Sequence, residues 1–119
     1  MKKTLVIGAS TNPDRYAYKA IQSLVNSGHE VVAEGLRTGN VSEVEISTTK
    51  IQYDDIDTVT LYVGPQNQPA WYEYILSCQP KRVIFNPGTE NSEFEEILTQ
   101  NGVEVVEACT LVILSIGNY

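Results

Sequence analysis

The chain opens with Lys3-Thr-Leu-Val-Ile-Gly-Ala-Ser-Thr-Asn-Pro-Asp-Arg-Tyr16. A short apolar run ends at Gly8, a small polar turn follows, and a helical pattern begins after the turn. In α/β proteins, a buried strand that ends in a glycine turn and leads into a helix is a common way to hold a phosphate. The turn gathers backbone N–H groups, and the helix dipole adds roughly half a positive charge at its start. The stretch therefore predicts the first strand of an α/β sheet, with an anion site at its end.

The composition is that of one ordinary globular domain. The chain has 119 residues, of which 42% are hydrophobic and 19% are charged, and this is enough for one apolar core. No apolar run approaches the ~20 residues of a membrane span. The apolar run before Gly8 is also too short for the core of a signal peptide. We therefore expect a cytoplasmic protein that does not bind membranes.

The charge distribution favours an anionic small ligand over nucleic acid. The net charge of −7 argues against general binding to a phosphate backbone. The charge is uneven, because residues 1–40 carry a balance of +2 and residues 41–119 a balance of −9. The first third of the chain would therefore attract an anionic ligand best.

The spacing of apolar residues predicts strands and helices in alternation. Strands are expected at residues 4–8, 30–34, 58–63, 82–85 and 103–106, with a weaker edge strand within 41–52. Helices are expected from Pro13, capped by Asn12, to Asn26, then over residues 66–77 and 92–100. Residues 109–116 form a closing helix or an extended tail. This order predicts a single α/β domain over residues 1–119: a Rossmann-like, doubly wound, mostly parallel sheet with helices on both faces.

Four glycine-containing loops are predicted at one edge of this sheet. They are residues 8–14, 35–39, 64–66 and 86–89, and each follows a strand end. In open α/β sheets, ligands bind beyond the carboxyl ends of the strands. Turn geometry alone explains one such glycine, but four at the same edge favour a binding function.

The first of the four loops is the better phosphate site. It lacks the GxGxxG fingerprint of dinucleotide-binding proteins, but its small residues allow a pyrophosphate to approach the backbone. The last loop leads into a helix that carries four acids near its start and would repel a phosphate. We therefore place the phosphates at the Gly8 loop and a neutral part of the ligand nearer the last loop. Those acids are Glu90, Glu93, Glu95 and Glu96.

Three charged residues near the first two loops leave the ligand open. Arg15 can pair with a phosphate or lie in solvent beside Asp14. Glu34, at the end of the second strand, suits the ribose of NAD, whereas Arg37 suits an additional phosphate. Both are present, so this position does not decide between the ligands.

The sequence shows no catalytic set. His29 is predicted at the opposite edge of the sheet, as a solvent-exposed turn residue. Cys109 follows the last strand, and a buried thiol is the interpretation we favour, although its role stays open. Cys78 and Cys109 are expected to be two thiols, and with one histidine there is no zinc-site pattern.

The motifs as a whole resemble a known family. Gly8-Ala-Ser-x-x-Pro13-x-Arg15 and Gly28-His-Glu-Val-Val32 resemble the small bacterial CoA-binding-domain proteins of the YccU-like group, and the match extends over nearly the whole chain. These are Rossmann-like domains similar to the CoA-binding domain of the succinyl-CoA synthetase α subunit. Two departures stand out: Gly35-Leu36 replaces the usual Asn-Pro, and Cys109 lacks its usual basic and proline neighbours.

The resemblance implies the layout of a CoA site. The loop from Gly8 to Arg15 would hold the pyrophosphate, Arg37 would meet the phosphates, and the end of the third main strand would line the adenine. The synthetase's phosphorylated histidine lies in another domain and has no counterpart in this chain, so binding is implied rather than thioester synthesis. The full set of predicted binding residues is Gly8, Ala9, Ser10, Thr11, Asn12, Pro13, Arg15, Gly35, Leu36, Arg37, Val63, Gly64, Pro65, Asn86, Pro87 and Gly88.

We therefore expect a stand-alone protein that binds CoA or acyl-CoA and carries out no catalysis of its own. One alternative is a Rossmann protein that binds NAD(H), as a redox sensor or a dehydrogenase-like protein. Another is a non-catalytic partner subunit whose pocket is unused. Whether the chain forms a homo-oligomer or joins a partner enzyme stays open at this point.

Overall fold

The computed structural model describes residues 1–119 and has a seven-stranded sheet at its centre. No helix combines the length and apolar character needed to cross a membrane. The predicted doubly wound α/β fold is confirmed. Its elements, in chain order, are β1 (Thr4–Ala9), α1 (Tyr16–Asn26), β2 (Val31–Gly35), β3 (Gly39–Val41), β4 (Val44–Ser47), β5 (Thr58–Leu61), α2 (Tyr72–Ser77), β6 (Arg82–Phe85), α3 (Ser92–Gln100), β7 (Glu104–Glu107) and α4 (Thr110–Ser115).

The strand order places the predicted loops side by side. The order is β3-β4-β2-β1-β5-β6-β7, and every neighbouring pair is parallel except β3 with β4. From β1, the chain moves first to β2 on one side and later to β5 on the other. The carboxyl ends of β1 and β5 therefore flank the point where the winding reverses, which is where ligands bind in this class of fold.

Two apolar clusters, one on each face of the sheet, hold the helices in place. Side chains that alternate along β1 divide between them, because successive residues of a strand point to opposite faces. Val6 packs with the buried face of α1, and the predicted apolar stripe of that helix is confirmed except that Val25 is only half-buried. Leu5 and Ile7 belong to the larger cluster, which includes Phe94 and Leu98 of α3.

The first helix begins later than its sequence suggests. Asn12 does not cap it: its side-chain oxygen accepts a hydrogen bond from the N–H of Asp14 at 3.0 Å and stabilises a separate turn. The N-cap is Arg15, whose side chain makes no capping hydrogen bond. The short polar side chain of Asn12 competes for nearby backbone donors, as asparagine commonly does in turns.

Two other predicted elements are broken up in the structure. Instead of one extended segment over residues 41–52, β3 and β4 form a short antiparallel hairpin, with Ser42 and Glu43 in the left-handed region at its turn. Instead of one helix over residues 66–77, two turns of 3₁₀ helix begin at Pro65 and Pro69 and only then does α2 start. Proline has no N–H to donate, so the two prolines favour separate short turns.

His29 is half-buried at the amino-terminal edge of the sheet, so its predicted exposure was wrong. Its Nδ1 accepts a hydrogen bond from the backbone N–H of Lys2 at 3.0 Å, and its ring lies 4.8 Å from the ring of Tyr119. Burial lowers the pKa of His29, and the N-terminal amine and the Lys2 and Arg82 cations lower it further. The histidine packs between the start of the chain and Tyr119, and so joins the two.

We expect this histidine to make stability fall with acidification. A base with a lowered folded-state pKa binds its proton more readily in the unfolded chain, so the free energy of unfolding decreases as pH falls below the ordinary value of about 6.5. His29→Gln, which keeps a hydrogen-bond acceptor but cannot titrate, should remove this part of the pH dependence. Urea unfolding at pH 7.5 and pH 5.5 measures it, and equal pH slopes for both proteins would contradict the prediction.

Candidate ligand-binding site

Near the end of β1, Gly8 lies close to the backbone of the segment after β5. Gly8 has φ +88°, and a Cβ at this position would lie 2.7 Å from the carbonyl oxygen of Tyr62. The pairing of β1 with β2 shifts by one residue here, so Gly8 forms a bulge just before the strand ends. Glycine is therefore required both by the conformation and by the space.

Beyond Gly8, the loop presents free backbone donors. The N–H of Asn12 donates to the side-chain oxygen of Ser10 at 3.0 Å, which keeps the turn tight. The N–H groups of Ser10 and Thr11 donate to no protein group. Thr11 is exposed and Ser10 half-buried, so both donors lie at the surface of the carboxyl edge. This is the arrangement that binds phosphate oxygens in turns of this kind.

The loop between β2 and β3 packs directly on the first loop. A Cβ at Gly35 would lie 2.5 Å from the carbonyl oxygen of Ala9, and one at Gly39 would overlap the methyl group of Thr11. Gly35 therefore lets the two backbones approach each other, Gly39 leaves room for the Thr11 side chain, and the residues between the two glycines are exposed. Leu36 is 90% exposed, and Arg37 is also exposed.

Arg15 and Arg37 are two unpaired cations at this edge. Neither guanidinium donates a hydrogen bond to a protein group or joins an ion pair. The two ion pairs of the structure are Lys3 with Glu30 and Lys81 with Asp57. Two free guanidinium groups near open N–H donors favour an anion with several oxygens, because arginine pairs strongly with phosphates.

Gln68 joins the loop after β5 to the turn after β6. It is fully buried, and its side-chain nitrogen donates to the carbonyl oxygen of Val63 at 2.8 Å and to that of Thr89 at 2.6 Å. Its oxygen accepts from the side chain of Asn91 at 2.9 Å. Two of the four predicted loops are thus fixed relative to each other by one side chain. The sequence gives no signal of this role, since a glutamine in a predicted helix is ordinarily exposed.

Asn86 is a structural residue of the site rather than an exposed ligand contact. It is 2% exposed, and its side-chain nitrogen donates to Thr60 Oγ1 at 2.8 Å and to the carbonyl oxygen of Leu61 at 2.9 Å. Its side-chain oxygen accepts from the N–H of Thr110 at 2.9 Å. Asn86 therefore ties β5, β6 and the start of α4 together and fixes where the turn begins.

The rest of the turn after β6 lies at the surface. Pro87 and Gly88 are exposed, and Gly88 has φ +91°. The N–H of Gly88 donates to the carboxylate of Glu90 at 2.8 Å. This glycine is therefore already bound to an acceptor from its own chain.

Comparison with known proteins identifies the family of this chain. Residues 2–115 match the family described as CoA binding domain. The chain belongs to the CoA-binding domain family. No curated protein gives a match to this sequence.

Solved structures show the same fold in other members and relatives. One neighbour, the crystal structure of an uncharacterized protein, is 53% identical with a TM-score of 0.97, over 100% of this chain and 98% of that one. A hypothetical protein from Pyrococcus horikoshii OT3 is 25% identical with a TM-score of 0.85, over 93% of this chain and 80% of that one.

A larger enzyme contains the fold as one part. A dinucleotide-forming acetyl-coenzyme A synthetase from Ca. Korarchaeum cryptofilum, in complex with phosphate and ADP, is 16% identical with a TM-score of 0.72. The match covers 90% of this chain and 25% of the synthetase. At this identity the likeness concerns the fold of the CoA-binding domain alone.

Glu34 does not face a ligand in this CoA-binding domain. It is fully buried, and its carboxylate accepts hydrogen bonds from the N–H groups of Lys50 at 2.8 Å and Ile51 at 3.0 Å, and from the hydroxyl of Tyr53 at 3.0 Å. It stabilises the segment between β4 and β5. Glu34, the one residue whose type favoured NAD, therefore binds groups of the protein itself.

Tyr62 and Cys109 are two further titratable residues close to this edge. Burial raises the pKa of Tyr62 to about 12, so its hydroxyl stays protonated at neutral pH. Cys109 forms the N-cap of α4 and is half-buried, not buried as predicted, because the next residue, Thr110, takes the interior position. Cys109 and Cys78 are both free thiols.

Proposed function

We propose that this protein binds CoA or acyl-CoA at the carboxyl edge of its sheet and catalyses no reaction itself. One observation carries the proposal: two unpaired arginines lie on the loops at this edge, where the N–H groups of Ser10 and Thr11 have no protein partner. Membership in the CoA-binding domain family supports a CoA-related ligand. CoA carries a pyrophosphate and a further phosphate, so it matches a site with several anion donors better than a ligand with one phosphate.

Each part of the edge has a proposed role. The N–H groups of Ser10 and Thr11, with Arg15, hold the pyrophosphate, and Ala9, Asn12 and Pro13 shape that turn. Arg37 meets a phosphate from the neighbouring loop, beside Gly35 and Leu36. Residues 63–65 line the adenine, and residues 86–88 bound the site on the far side. The packing of the first two loops on each other supports this layout, because it brings the two arginine-bearing loops together.

The absence of catalysis is inferred from the placement of reactive groups. His29 lies at the amino-terminal edge, opposite the site, and bonds the start of the chain. Glu34, the buried acid nearest the second loop in sequence, already accepts three hydrogen bonds. A general acid–base role needs a group within hydrogen-bond reach of the ligand, and neither of these residues provides one. Binding without chemistry is the function that these contacts favour.

We expect isothermal titration to show CoA binding that depends on Arg37. A hydrogen bond to a charged group contributes about 1.5–3 kcal/mol, so Arg37→Ala should raise the Kd for CoA by roughly ten- to a hundredfold. Lys81→Ala is the matched control. It removes one exposed positive charge at the opposite edge of the sheet and should leave the affinity nearly unchanged.

Dephospho-CoA and NAD sharpen the same experiment. If Arg37 meets the 3′-phosphate, the substitution will lower the affinity for CoA and leave the affinity for dephospho-CoA unchanged. If Arg37 instead meets the pyrophosphate, the substitution will lower the affinity for both ligands by the same factor. NAD should bind much more weakly than CoA. No measurable heat with CoA at millimolar concentration would overturn the proposed function.

A further inference from the structure

In the turn after β6, the N–H groups of Gly88 and Thr89 bond to acceptors of the protein itself, although the turn faces open space. No atom lies within 4 Å of a Cβ built on Gly88, so the turn is accessible. Its N–H nevertheless donates to Glu90 Oε1 at 2.8 Å. The N–H and the hydroxyl of Thr89 both donate to the carbonyl oxygen of Asn86, at 2.9 and 2.8 Å. The N–H at the glycine of this turn is therefore already bound to a carboxylate.

At the start of α3, two N–H groups also donate to side chains of the protein itself. The N–H of Asn91 donates to Glu95 Oε2 at 3.0 Å, and the N–H of Phe94 donates to the side-chain oxygen of Asn91 at 3.2 Å. Glu93 accepts a hydrogen bond from the hydroxyl of Tyr72 at 3.2 Å. Glutamates thus lie at the two places, a glycine turn and a helix start, where an anion would otherwise be favoured.

The electrostatic environment of this turn is negative. Burial raises the pKa of Glu95, and the nearby carboxylates of Glu107 and Glu90 raise it further. No lysine or arginine forms an ion pair with these acids. The turn after β1 has the opposite character, with Arg15 and Arg37 unpaired beside free N–H groups. The two glycine turns at this edge therefore differ in their surroundings: the turn after β1 favours an anionic ligand group, and the turn after β6 disfavours one.

We infer that Glu90 is a specificity-determining residue that closes the turn after β6 to anions. Its carboxylate occupies the Gly88 N–H and repels a second anion at the same place. The turn is thereby reserved for an uncharged part of the ligand, and all phosphates are directed to the loops after β1 and β2. This ligand-level consequence rests on the proposed function, whereas the closure of the turn does not.

The preferred ligand then has its anionic groups at one end and an uncharged portion at the other. β1 and β6 are separated only by β5, and neighbouring strands are about 4.8 Å apart, so the two turns lie roughly 10 Å from each other. A nucleotide ligand that extends across β5 meets both. Glu90 therefore fixes the direction in which such a ligand lies across the sheet edge.

Titration of ¹⁵N-labelled protein with inorganic phosphate tests this without any use of CoA. In the unmodified protein, the amide signals of Ser10 and Thr11 should shift and that of Gly88 should not. In Glu90→Ala, the Gly88 signal should shift in a saturable way as phosphate is added. Glu90→Gln loses the charge but keeps an acceptor, so its Gly88 signal should shift less than that of Glu90→Ala.

Glu96→Ala is the control, because it removes a nearby exposed acid of α3 that does not touch the turn. It should behave like the unmodified protein. A shift of Gly88 with phosphate before any substitution, or no shift in Glu90→Ala, would overturn the inference. Since the phosphate titration at Gly88 is independent of CoA titration, failure of one proposal is distinguishable from failure of the other.

Discussion

Gly8→Ala is expected to destabilise the protein by about 2–5 kcal/mol and to abolish CoA binding. A non-glycine residue in the left-handed region costs roughly 1–2 kcal/mol, and Gly8 has φ +88°. The added Cβ would also lie 2.7 Å from the carbonyl oxygen of Tyr62, and forcing atoms into an occupied space costs about 1–3 kcal/mol more. Tyr62 cannot easily withdraw, because its N–H donates to the carbonyl oxygen of Ile7 at 2.8 Å.

The chain contains a matched control for this substitution. Gly102 has φ +77°, but no atom lies within 4 Å of a Cβ built on it. Gly102→Ala therefore incurs the conformational cost alone, roughly 1–2 kcal/mol, and lies at the end of α3, away from the proposed phosphate loop. Urea unfolding and CoA titration of both variants separate the two effects. Equal losses of stability would show that the approach to Tyr62 does not matter.

The elements that the sequence predicts correctly are those whose bounds are set by the local pattern of apolar residues alone. The bounds of β6 and α3 are as predicted, because a β-branched apolar run before Asn86 and a strong helical stripe leave no competing interpretation. The start of α1 was misplaced since Asn12 can cap either a helix or a turn, and the neighbouring backbone decides which. The segment after β5 was misjudged because Pro65 and Pro69 begin separate short turns, and because Gln68 turns inward to bond the carbonyl oxygens of Val63 and Thr89.

The candidate site shows the same limit. The alternation of strands and helices predicts that the strands run parallel, so their carboxyl ends and the four loops that follow them could be placed at one edge of the sheet. Whether an acid at the edge faces a ligand or the interior depends on the segment that packs over it. Glu34 is buried under Lys50 and Ile51, and Glu90 turns back onto Gly88. Neither contact has a signal in the spacing of residues along the chain.

Asn86→Ala should be the most damaging polar substitution, with a loss of about 3–5 kcal/mol. The truncation leaves the N–H of Thr110 and the carbonyl oxygen of Leu61 without their partner, and each buried unsatisfied group costs about 1–3 kcal/mol. A small cavity between β5, β6 and α4 adds to this. Because a whole domain is stable by only about 5–15 kcal/mol, the variant should lie close to unfolding.

Asn86→Asp separates the hydrogen bonds from the packing. Aspartate has nearly the same shape and still accepts from the N–H of Thr110, but its second oxygen cannot donate to the carbonyl oxygen of Leu61. If donation matters, Asn86→Asp will lose stability at pH 7 despite the conserved volume, whereas Asn40→Ala, on the exposed edge strand β3, will change it by less than about 0.5 kcal/mol. Urea unfolding of the three variants measures this. A fully stable Asn86→Asp would show that the hydrogen bonds donated by Asn86 to Thr60 and Leu61 add nothing to stability, and that its role is limited to packing and to accepting from the N–H of Thr110.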